Sequence, residues 1–231
     1  MNVAVIPARG GSKRIPKKNI RHFCGKPIIA WPIAIAKKSG LFEHILVSTD
    51  DKEIAEVASH YGAEVPFERP DLLSDDYVGT TQVVSHSARW MIANDWKVEA
   101  ICCIYATSPL LDPIDLSEAY NLLKTDKWDF VFGATEYVYP FQRSFKLQED
   151  GSLKMFFPEY YHSRSQDLDL GYHDAGQFYW SSTDVWLENR MGFTERSTIV
   201  KIPPYRVVDI DTEEDWLRAE LIFETLGLDK K

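Results

Sequence analysis

Two kinds of apolar pattern alternate along the first 135 residues. Short, nearly continuous apolar runs are typical of strands buried on both faces of a sheet, and they predict strands at 3–7, 44–49, 63–67, 100–105 and 129–134. Between them, apolar residues recur at helical spacing, which predicts helices at 28–38, 51–60, 80–92 and 113–123. Residues typical of helix ends agree with these bounds: Gly40 follows the first helix, Asp50 or Asp51 can cap the second, and Thr80 or Thr81 the third.

This alternation predicts the fold class. Strands that alternate with helices form a parallel sheet covered on both faces, so we expect an α/β, Rossmann-like, doubly wound and mostly parallel sheet. In such sheets the ligand binds beyond the carboxyl ends of the strands. The loops that follow Ile6, Thr49, Tyr105 and Ala134 should therefore lie on one side of the molecule.

The pattern changes after about residue 136. Short runs at 145–147 and 153–156 flank a Glu-Asp-Gly-Ser turn and predict a β-hairpin, whereas the rest of 137–175 has no clear periodicity. We interpret 137–175 as an insertion within a single domain that covers residues 1–231. Regular elements resume with the predicted strands 177–180, 198–202 and 207–211, a helix at 183–188, and a final helix capped by Thr212.

Charge is distributed unevenly along the chain. The 231 residues carry 26 Lys and Arg against 35 Asp and Glu, a net charge of −9, yet the first 42 residues contain nine basic side chains and no acidic one. The acidic remainder argues against nonspecific binding of nucleic acid. No apolar run approaches the roughly 20 residues that span a bilayer, and the N-terminus lacks the pattern of a signal peptide. We therefore expect a cytoplasmic protein that binds neither nucleic acid nor a membrane.

The basic residues concentrate in the loop after the first predicted strand, which reads PARGGSKRIPKKN over 7–19. The loop matches neither common phosphate-loop motif, but Gly10 and Gly11 let backbone N–H groups approach phosphate oxygens. Ser12 adds a hydroxyl, and Asn19 carries an amide that can contact the edge of a base. Counter-charge for a nucleoside triphosphate is available from Arg9, Lys13, Arg14, Lys17 and Lys18. The alternative is a solvated basic loop; its position after the first strand favours the triphosphate.

A pair of carboxylates stands at the predicted end of the last strand. Alternation along a strand places Asp209 and Asp211 on the same side, where they repel each other unless a cation lies between them. Mg²⁺ binds to a few carboxylates together with phosphate oxygens. The alternative, that Asp211 only caps the final helix, becomes less favoured beside a triphosphate loop on the same side of the sheet.

Other polar positions give weaker signals. Thr107 and Ser108 follow the central strand but precede a proline, so turn chemistry explains them equally well. The insertion contains His162, Arg164, His173 and Asp174 at spacings that match no zinc motif. Of the three cysteines, Cys102 and Cys103 lie in an apolar run, and we interpret them as small buried hydrophobic residues.

These motifs together resemble a known family, the acylneuraminate cytidylyltransferases. The resemblance covers essentially the whole chain and depends on IPARGGSKR at 6–14 with Lys18 and Asn19, and on DIDTEED at 209–215. The Arg-Pro pair that begins at Arg69, the Thr-Ser-Pro segment at 107–109 and the insertion follow in the matching order. Two segments, YATSP at 105–109 and HDAGQFY at 173–179, depart from the sialic acid enzymes and resemble the branch that acts on pseudaminic acid.

The resemblance implies a fold of the nucleotide-diphospho-sugar transferase type, a reaction and a set of site residues. CMP is transferred from CTP to the anomeric hydroxyl of an acidic nine-carbon sugar, with release of pyrophosphate. The expected CTP-binding residues are Ala8, Arg9, Gly10, Gly11, Ser12, Lys13, Lys18, Asn19, Arg69, Thr80, Thr107 and Ser108. The expected catalytic residues are Arg9, Lys18, Asp209 and Asp211, of which the two aspartates hold Mg²⁺. The expected sugar-binding residues are Tyr105, Arg164, His173 and Gln177.

The resemblance also bears on the oligomeric state and on the choice of sugar, and one alternative function stays open. The family implies a homodimer in which segment 137–175 crosses to the partner subunit. Tyr105 stands where sialic acid enzymes have a glutamine that contacts the sugar, which argues against sialic acid itself. The same reaction on legionaminic acid, N-acetylneuraminic acid or Kdo stays the alternative to pseudaminic acid. A non-catalytic module that only binds CTP is the more distant alternative, and the Asp-x-Asp pair argues against it.

Overall fold

The computed structural model describes residues 1–75, 77–190 and 192–228. The strands are β1 (Asn2–Pro7), β2 (His22–Phe23), β3 (Lys26–Pro27), β4 (His44–Ser48), β5 (Ala100–Ile104), β6 (Phe130–Glu136), β7 (Phe145–Leu147), β8 (Leu153–Met155), β9 (Tyr172–Ser182) and β10 (Ser197–Lys201). The helices are α1 (Ala30–Ser39), α2 (Lys52–His60), α3 (Thr80–Ala93), α4 (Pro113–Leu123), α5 (Thr183–Leu187) and α6 (Glu213–Thr225).

A six-stranded sheet in the order β10-β6-β9-β5-β1-β4 forms the centre of the fold. β9 is antiparallel to both β5 and β6, and the other pairs within this sheet are parallel. The predicted α/β class with a mostly parallel sheet is therefore confirmed. β1 lies between β4 and β5, and its side chains from Val3 to Ile6 are fully buried.

Two apolar layers cover the two faces of the sheet. Ile6 belongs to one layer and Val5 to the other, as alternation along a strand requires. Cys102 and Cys103 divide in the same way and are fully buried, so their interpretation as core residues is confirmed. Burial also raises the pKa of both thiols, which keeps them protonated and unreactive at neutral pH.

A third apolar cluster brings the two ends of the described chain together. Trp216 and Phe223 of α6 pack edge-on against Phe23 of β2, with ring centroids 5.5 and 5.4 Å apart. Ile15 of the first loop and Ile210, just before α6, are buried in the same cluster. The final helix is therefore held against the first loop, although about 190 residues separate them along the chain.

Several predicted boundaries were wrong. At 63–67 only Glu64 makes a bridge, to Leu46, so there is no strand. Residues 207–211 lie outside every strand of the described chain, because Pro203 and Pro204 follow β10 and lack the N–H groups that would continue the sheet. α1 begins at Ala30, two residues late, because Pro27 is paired in β3.

The three capping predictions had different outcomes. The N-cap of α3 is Gly79, with no side-chain cap bond, rather than Thr80 or Thr81. The caps of α2 and α6 are confirmed: Asp51 accepts from the Ile54 N–H, and Thr212 and Asp215 form a capping box.

The segment between β6 and β9 contains only short elements. The predicted hairpin is confirmed as β7 and β8, which pair antiparallel around Gly151. β9 begins at Tyr172, so the last four positions of the predicted insertion belong to the central sheet. The domain bounds stay a prediction. Among the described residues, no helix has the length and apolar character that a membrane span requires.

Candidate active site

The first loop leaves the carboxyl end of β1 and is fixed by its own polar groups. Asn19 is 9% exposed, and its Nδ2 donates to the Arg9 carbonyl at 2.9 Å. The Ser12 hydroxyl donates to the Ile15 carbonyl at 2.6 Å, and Lys17 adopts the left-handed backbone conformation with φ of 52°. Asn19 therefore holds the loop with its amide nitrogen, and Ser12 uses its hydroxyl hydrogen for the same purpose.

The loop rests against the start of α2. The Gly10 N–H donates to Asp50 Oδ1 at 3.0 Å, and the guanidinium of Arg69 lies 3.4 Å from the same oxygen. Arg69 is 4% exposed, and burial lowers its pKa, a change that the nearby Asp50 opposes. Lys17 turns away from the loop and pairs with Glu53 of α2. Asp50 thus joins a glycine backbone to a buried arginine.

A cleft of about 570 Å³ opens between this loop and the ends of β1 and β5. The predicted residues that line it are Arg9, Ser12, Lys13, Lys18, Asn19, Arg69, Thr80, Tyr105 and Thr107. Arg14 lines it as well, so five cationic side chains surround one cavity, while Asp75 is the single carboxylate among its described lining residues. Leu73, Val78 and Val83 add an apolar wall that our sequence predictions missed. A concentration of positive charge of this kind is complementary to the negative charge of a polyphosphate.

Four predicted CTP-binding residues are not part of the lining. Ala8 is buried, and its N–H donates to the Ser48 carbonyl at 2.9 Å. Ser108 is also buried, and its hydroxyl lies 3.4 Å from the Gln177 carbonyl. Gly10 and Gly11 belong to the first loop but are not among the described residues that line the cleft. Gly10 leaves no space for a side chain, because an added Cβ would lie 2.7 Å from Asp51 Oδ2.

Asp211 of the acidic pair contacts two residues that line the cleft, although neither Asp209 nor Asp211 belongs to its described lining. Asp211 Oδ1 lies 2.9 Å from an Arg14 nitrogen and 3.3 Å from Lys18 Nζ, and Lys18 also donates to the Ile210 carbonyl at 2.7 Å. Burial and the neighbouring Asp211 raise the pKa of Asp209, and Lys18 opposes this change. Two carboxylates close enough to affect each other fit a divalent cation whose remaining ligands are phosphate oxygens and water. The described residues contain no group of three or more candidate metal ligands.

A second cavity of about 230 Å³ shares Thr80 and Tyr105 with the main cleft. The two cavities therefore meet at these side chains. The Tyr105 hydroxyl lies 3.3 Å from Thr80 Oγ1, and the Tyr179 hydroxyl donates to Asp174. Burial raises the pKa of both tyrosines, so both hydroxyls remain protonated at neutral pH. Trp186 and Phe193 complete an aromatic wall.

A bulge in β9 creates this second cavity. Gly176 has φ of +61°, and its N–H donates to Asp174 Oδ1 at 2.9 Å. Phe132 of β6 pairs with Tyr179 and Ala134 pairs with Asp174, so β9 contains three more residues than β6 across this irregularity. This odd number of extra residues changes the alternation along the strand, so Asp174 and Tyr179 face the same cavity although five positions separate them. Sequence alternation gives no sign of this contact, which explains why the predictions missed Tyr179.

The structure does not bring three of the predicted sugar-binding residues into either cavity. The side chain of Arg164 is 71% exposed and forms two hydrogen bonds with Asp167. His173 Nδ1 bonds with the Asp174 carbonyl oxygen at 2.9 Å. Gln177 is 3% exposed, and its Nε2 donates to the Arg206 carbonyl at 2.6 Å. Of the four predicted sugar-binding residues, only Tyr105 lines a described cavity.

The fold and the cleft define a class of protein: an α/β protein with a mostly parallel sheet and a cleft lined with basic residues of the loop after the first strand. Comparison with known proteins agrees. The family model described as "Cytidylyltransferase" matches residues 3–150, and the chain belongs to the cytidylyltransferase family.

Individual relatives cover nearly the whole chain. It is 45% identical over 223 residues to a pseudaminic acid cytidylyltransferase from Campylobacter jejuni, covering 96% of each chain. It is 35% identical to a Helicobacter pylori protein named pseudaminic acid cytidylyltransferase and UDP-2,4-diacetamido-2,4,6-trideoxy-beta-L-altropyranose hydrolase, covering 90% of this chain and 40% of that protein. A solved CMP:2-keto-3-deoxy-manno-octonic acid synthetase complexed with CTP has the same fold, with a TM-score of 0.71 at 14% identity, covering 97% of this chain and 99% of that chain.

Proposed function

We propose that this protein transfers CMP from CTP to the anomeric hydroxyl of pseudaminic acid and releases pyrophosphate. The observation that carries the proposal is the cleft with five cationic side chains, two of which lie against the carboxylate of Asp211. The choice of sugar is supported by the Campylobacter jejuni relative, whose name states pseudaminic acid, and by Tyr105 at the junction of the two cavities.

The cationic side chains of the cleft would bind and orient the triphosphate. Arg9, Lys13 and Lys18 would neutralise phosphate oxygens, and Arg69, held by Asp50, would add a buried positive charge. The sugar hydroxyl oxygen forms a bond to the α-phosphorus, and the bond between that phosphorus and the bridging oxygen breaks. Pyrophosphate leaves with the electron pair, and the hydroxyl proton passes to solvent. In this chemistry the protein contributes chiefly positioning and charge neutralisation.

Asn19 gives the proposed preference for cytosine. Its Nδ2 already donates to the Arg9 carbonyl, so the side chain would use its Oδ1 to accept from the exocyclic amino group of the base. This acceptor suits cytosine, whereas uracil offers a carbonyl at the corresponding position.

Asp209 and Asp211 would hold Mg²⁺ in the proposed mechanism. When bound, the ion would neutralise charge on the reacting phosphate and lower the pKa of a coordinated hydroxyl. In the ligand-free chain, Lys18 and Arg14 lie against Asp211. These two cations therefore lie beside the carboxylate that would hold the ion, where they would contact phosphate oxygens of the bound CTP.

The second cavity is the proposed place for the sugar's acylamino substituents. Its aromatic residues Tyr179, Trp186 and Phe193 can contact a methyl group, while Asp174 and the tyrosine hydroxyls offer polar partners. Neither Gln177 nor His173 lines the described cavities, so both remain predictions from the sequence and neither is part of this proposal.

A homodimer is the second part of the proposal. The segment between β6 and β9 exposes large apolar side chains, including Val138 (72%), Tyr139 (81%) and Leu147 (71%), and an exposed apolar surface of this kind is typical of an interface. Arg164 lies on the same segment, so we propose that it contacts sugar bound to the partner subunit. Light scattering that gives a monomer at micromolar concentration would contradict this part. A cytoplasmic location stays a prediction.

A panel of sugars tests the proposed reaction. The protein is incubated with CTP, Mg²⁺ and pseudaminic, legionaminic or N-acetylneuraminic acid or Kdo, and pyrophosphate is measured. We expect the highest kcat/KM with pseudaminic acid. A higher value for another sugar would reassign the substrate. Tight CTP binding without pyrophosphate release from any of the four would support a binding module instead.

A further inference from the structure

We infer that Asp115, Gln177 and Arg206, here called the Arg206 anchor, set the position of the acidic segment 207–211. The inference rests on the proposed function, because it assigns these residues to the segment that would hold the metal ion. All three lie outside the described lining of both cavities, so they are positioning residues rather than catalytic ones.

An ion pair holds the Arg206 side chain. Its two terminal nitrogens lie 2.6 and 3.0 Å from the two carboxylate oxygens of Asp115 in α4. Asp115 is 5% exposed, and the Arg206 side chain is 15% exposed. A two-point contact between a planar guanidinium and a buried carboxylate fixes both distance and orientation, so α4 determines where the turn Pro204–Arg206 lies.

Gln177 holds the backbone of the same residue. Its Nε2 donates to the Arg206 carbonyl at 2.6 Å, and its own carbonyl accepts from the Tyr105 N–H at 2.9 Å. Gln177 belongs to β9 and is 3% exposed. Arg206 is therefore tied to the central sheet through its backbone and to α4 through its side chain.

The acidic segment is held by apolar packing of Val207 and Val208 against two of the core clusters and by polar contacts at its two ends. It lies outside every strand of the described chain, so no sheet pairing fixes Asp209. At its far end, Ile210 is buried, Lys18 donates to its carbonyl, and Asp215 accepts from the Asp211 N–H at 3.3 Å. At its near end the Arg206 anchor supplies the corresponding restraint. Loss of the anchor should leave Asp209 variable in position while the cationic cleft stays intact.

Another buried glutamine provides a matched control. Gln142 is 4% exposed, and its Nε2 donates to the Asp169 carbonyl at 2.8 Å. In both glutamines the Oε1 is buried without a hydrogen-bond partner. Gln177→Leu and Gln142→Leu therefore remove equivalent side-chain bonds, but only the first affects a residue next to the acidic segment.

Two measurements on the full-length chain test the inference. Hydrogen exchange of the ligand-free protein, followed on a peptide that covers 204–216, should be about tenfold faster in Gln177→Leu and unchanged in Gln142→Leu. Mn²⁺ affinity in the presence of CTP, measured by electron paramagnetic resonance, should fall about tenfold in Gln177→Leu only, as expected when one buried hydrogen bond is lost. The KM for the sugar should stay within about twofold of wild type.

The outcomes separate this inference from the proposed function. Unchanged exchange in Gln177→Leu would overturn the anchor, and so would a higher KM for the sugar with unchanged Mn²⁺ affinity, which would make Gln177 a sugar ligand. A wild-type protein that binds no Mn²⁺ with CTP would count against the proposed metal site, while the exchange result would still decide whether the anchor restrains the segment.

A second variant removes both partners of the ion pair. Removing only one partner would leave the other charge buried and unpaired, which destabilises the fold. Asp115→Leu combined with Arg206→Met replaces both partners with apolar side chains, a change that proteins often tolerate. We expect a folded protein with Mn²⁺ affinity still about tenfold weaker. Full wild-type affinity in this variant would overturn the role of the ion pair.

Discussion

Gly10 offers a sharp test of how the phosphate loop is built. A Cβ at this position would lie 2.7 Å from Asp51 Oδ2 and 3.0 Å from Asp51 Cβ, closer than packed atoms can stand. Asp51 is not free to move, because its carboxylate caps α2 by accepting from the Ile54 N–H at 3.1 Å. Gly10→Ala must therefore displace either the cap or the loop.

The two possibilities set the size of the effect. Loss of the cap costs about 1 kcal/mol of stability, which lowers the Tm of a chain of this length by roughly 2–4 °C. Displacement of the loop breaks the bond between the Gly10 N–H and the Asp50 carboxylate, and a hydrogen bond to a charged group contributes about 1.5–3 kcal/mol. We expect lower stability together with a CTP affinity at least about tenfold weaker, since Arg9 and Ser12 move with the loop.

Gly11→Ala is the matched control. An added Cβ at Gly11 would meet no described protein atom within 4 Å, so its Tm should equal that of the wild type. Thermal unfolding and calorimetric titration with CTP measure both effects. Wild-type Tm and CTP affinity in Gly10→Ala would contradict the expected clash with Asp51. An equal loss of stability in both alanine variants would contradict it as well.

Three further outcomes follow from the site. Asp211→Ala should nearly abolish pyrophosphate release while the circular dichroism spectrum stays unchanged; wild-type rates at ordinary Mg²⁺ would contradict the metal assignment. Asp215→Ala should lower Tm at neutral pH, because the Thr212 hydroxyl lowers the pKa of Asp215 and its ionised form stabilises the helix start. This Tm difference should be full above about pH 5 and shrink as the pH falls below the ordinary aspartate pKa of about 3.9; a difference that grows in acid would be inconsistent. Tyr179→Phe removes the hydroxyl that donates to Asp174 and should raise the KM for the sugar about tenfold with little change for CTP, whereas an effect on CTP alone would move the second cavity's role to the nucleotide.

Local pattern was sufficient where a short segment determines its own structure. The continuous apolar run of β5 predicts a buried strand, and the structure contains it. The basic residues of the first loop line one cleft, while anion binding by that cleft stays a prediction. The caps at Asp51 and Thr212 were likewise predictable, because a cap depends on residues within one turn.

Contacts between distant segments could not be predicted in this way. Asp211 reaches Lys18 because Trp216 and Phe223 pack against Phe23, and no local pattern encodes that packing. Residues 207–211 have the alternation of a strand, yet the prolines before them direct the chain away from the sheet. Gln177 has a polar side chain of the kind that binds ligands. Its side chain is instead buried against Arg206, in a turn about 30 residues later in the chain.

The central claim is that CTP is cleaved between its α- and β-phosphates as CMP passes to the sugar. ³¹P nuclear magnetic resonance on a mixture of the protein, CTP, Mg²⁺ and pseudaminic acid follows every phosphorus atom at once. The account predicts that the three CTP signals are replaced by one phosphodiester signal and one pyrophosphate signal in equal molar amounts. Release of inorganic phosphate without a phosphodiester, or CTP signals that persist although calorimetry shows CTP bound, would contradict it.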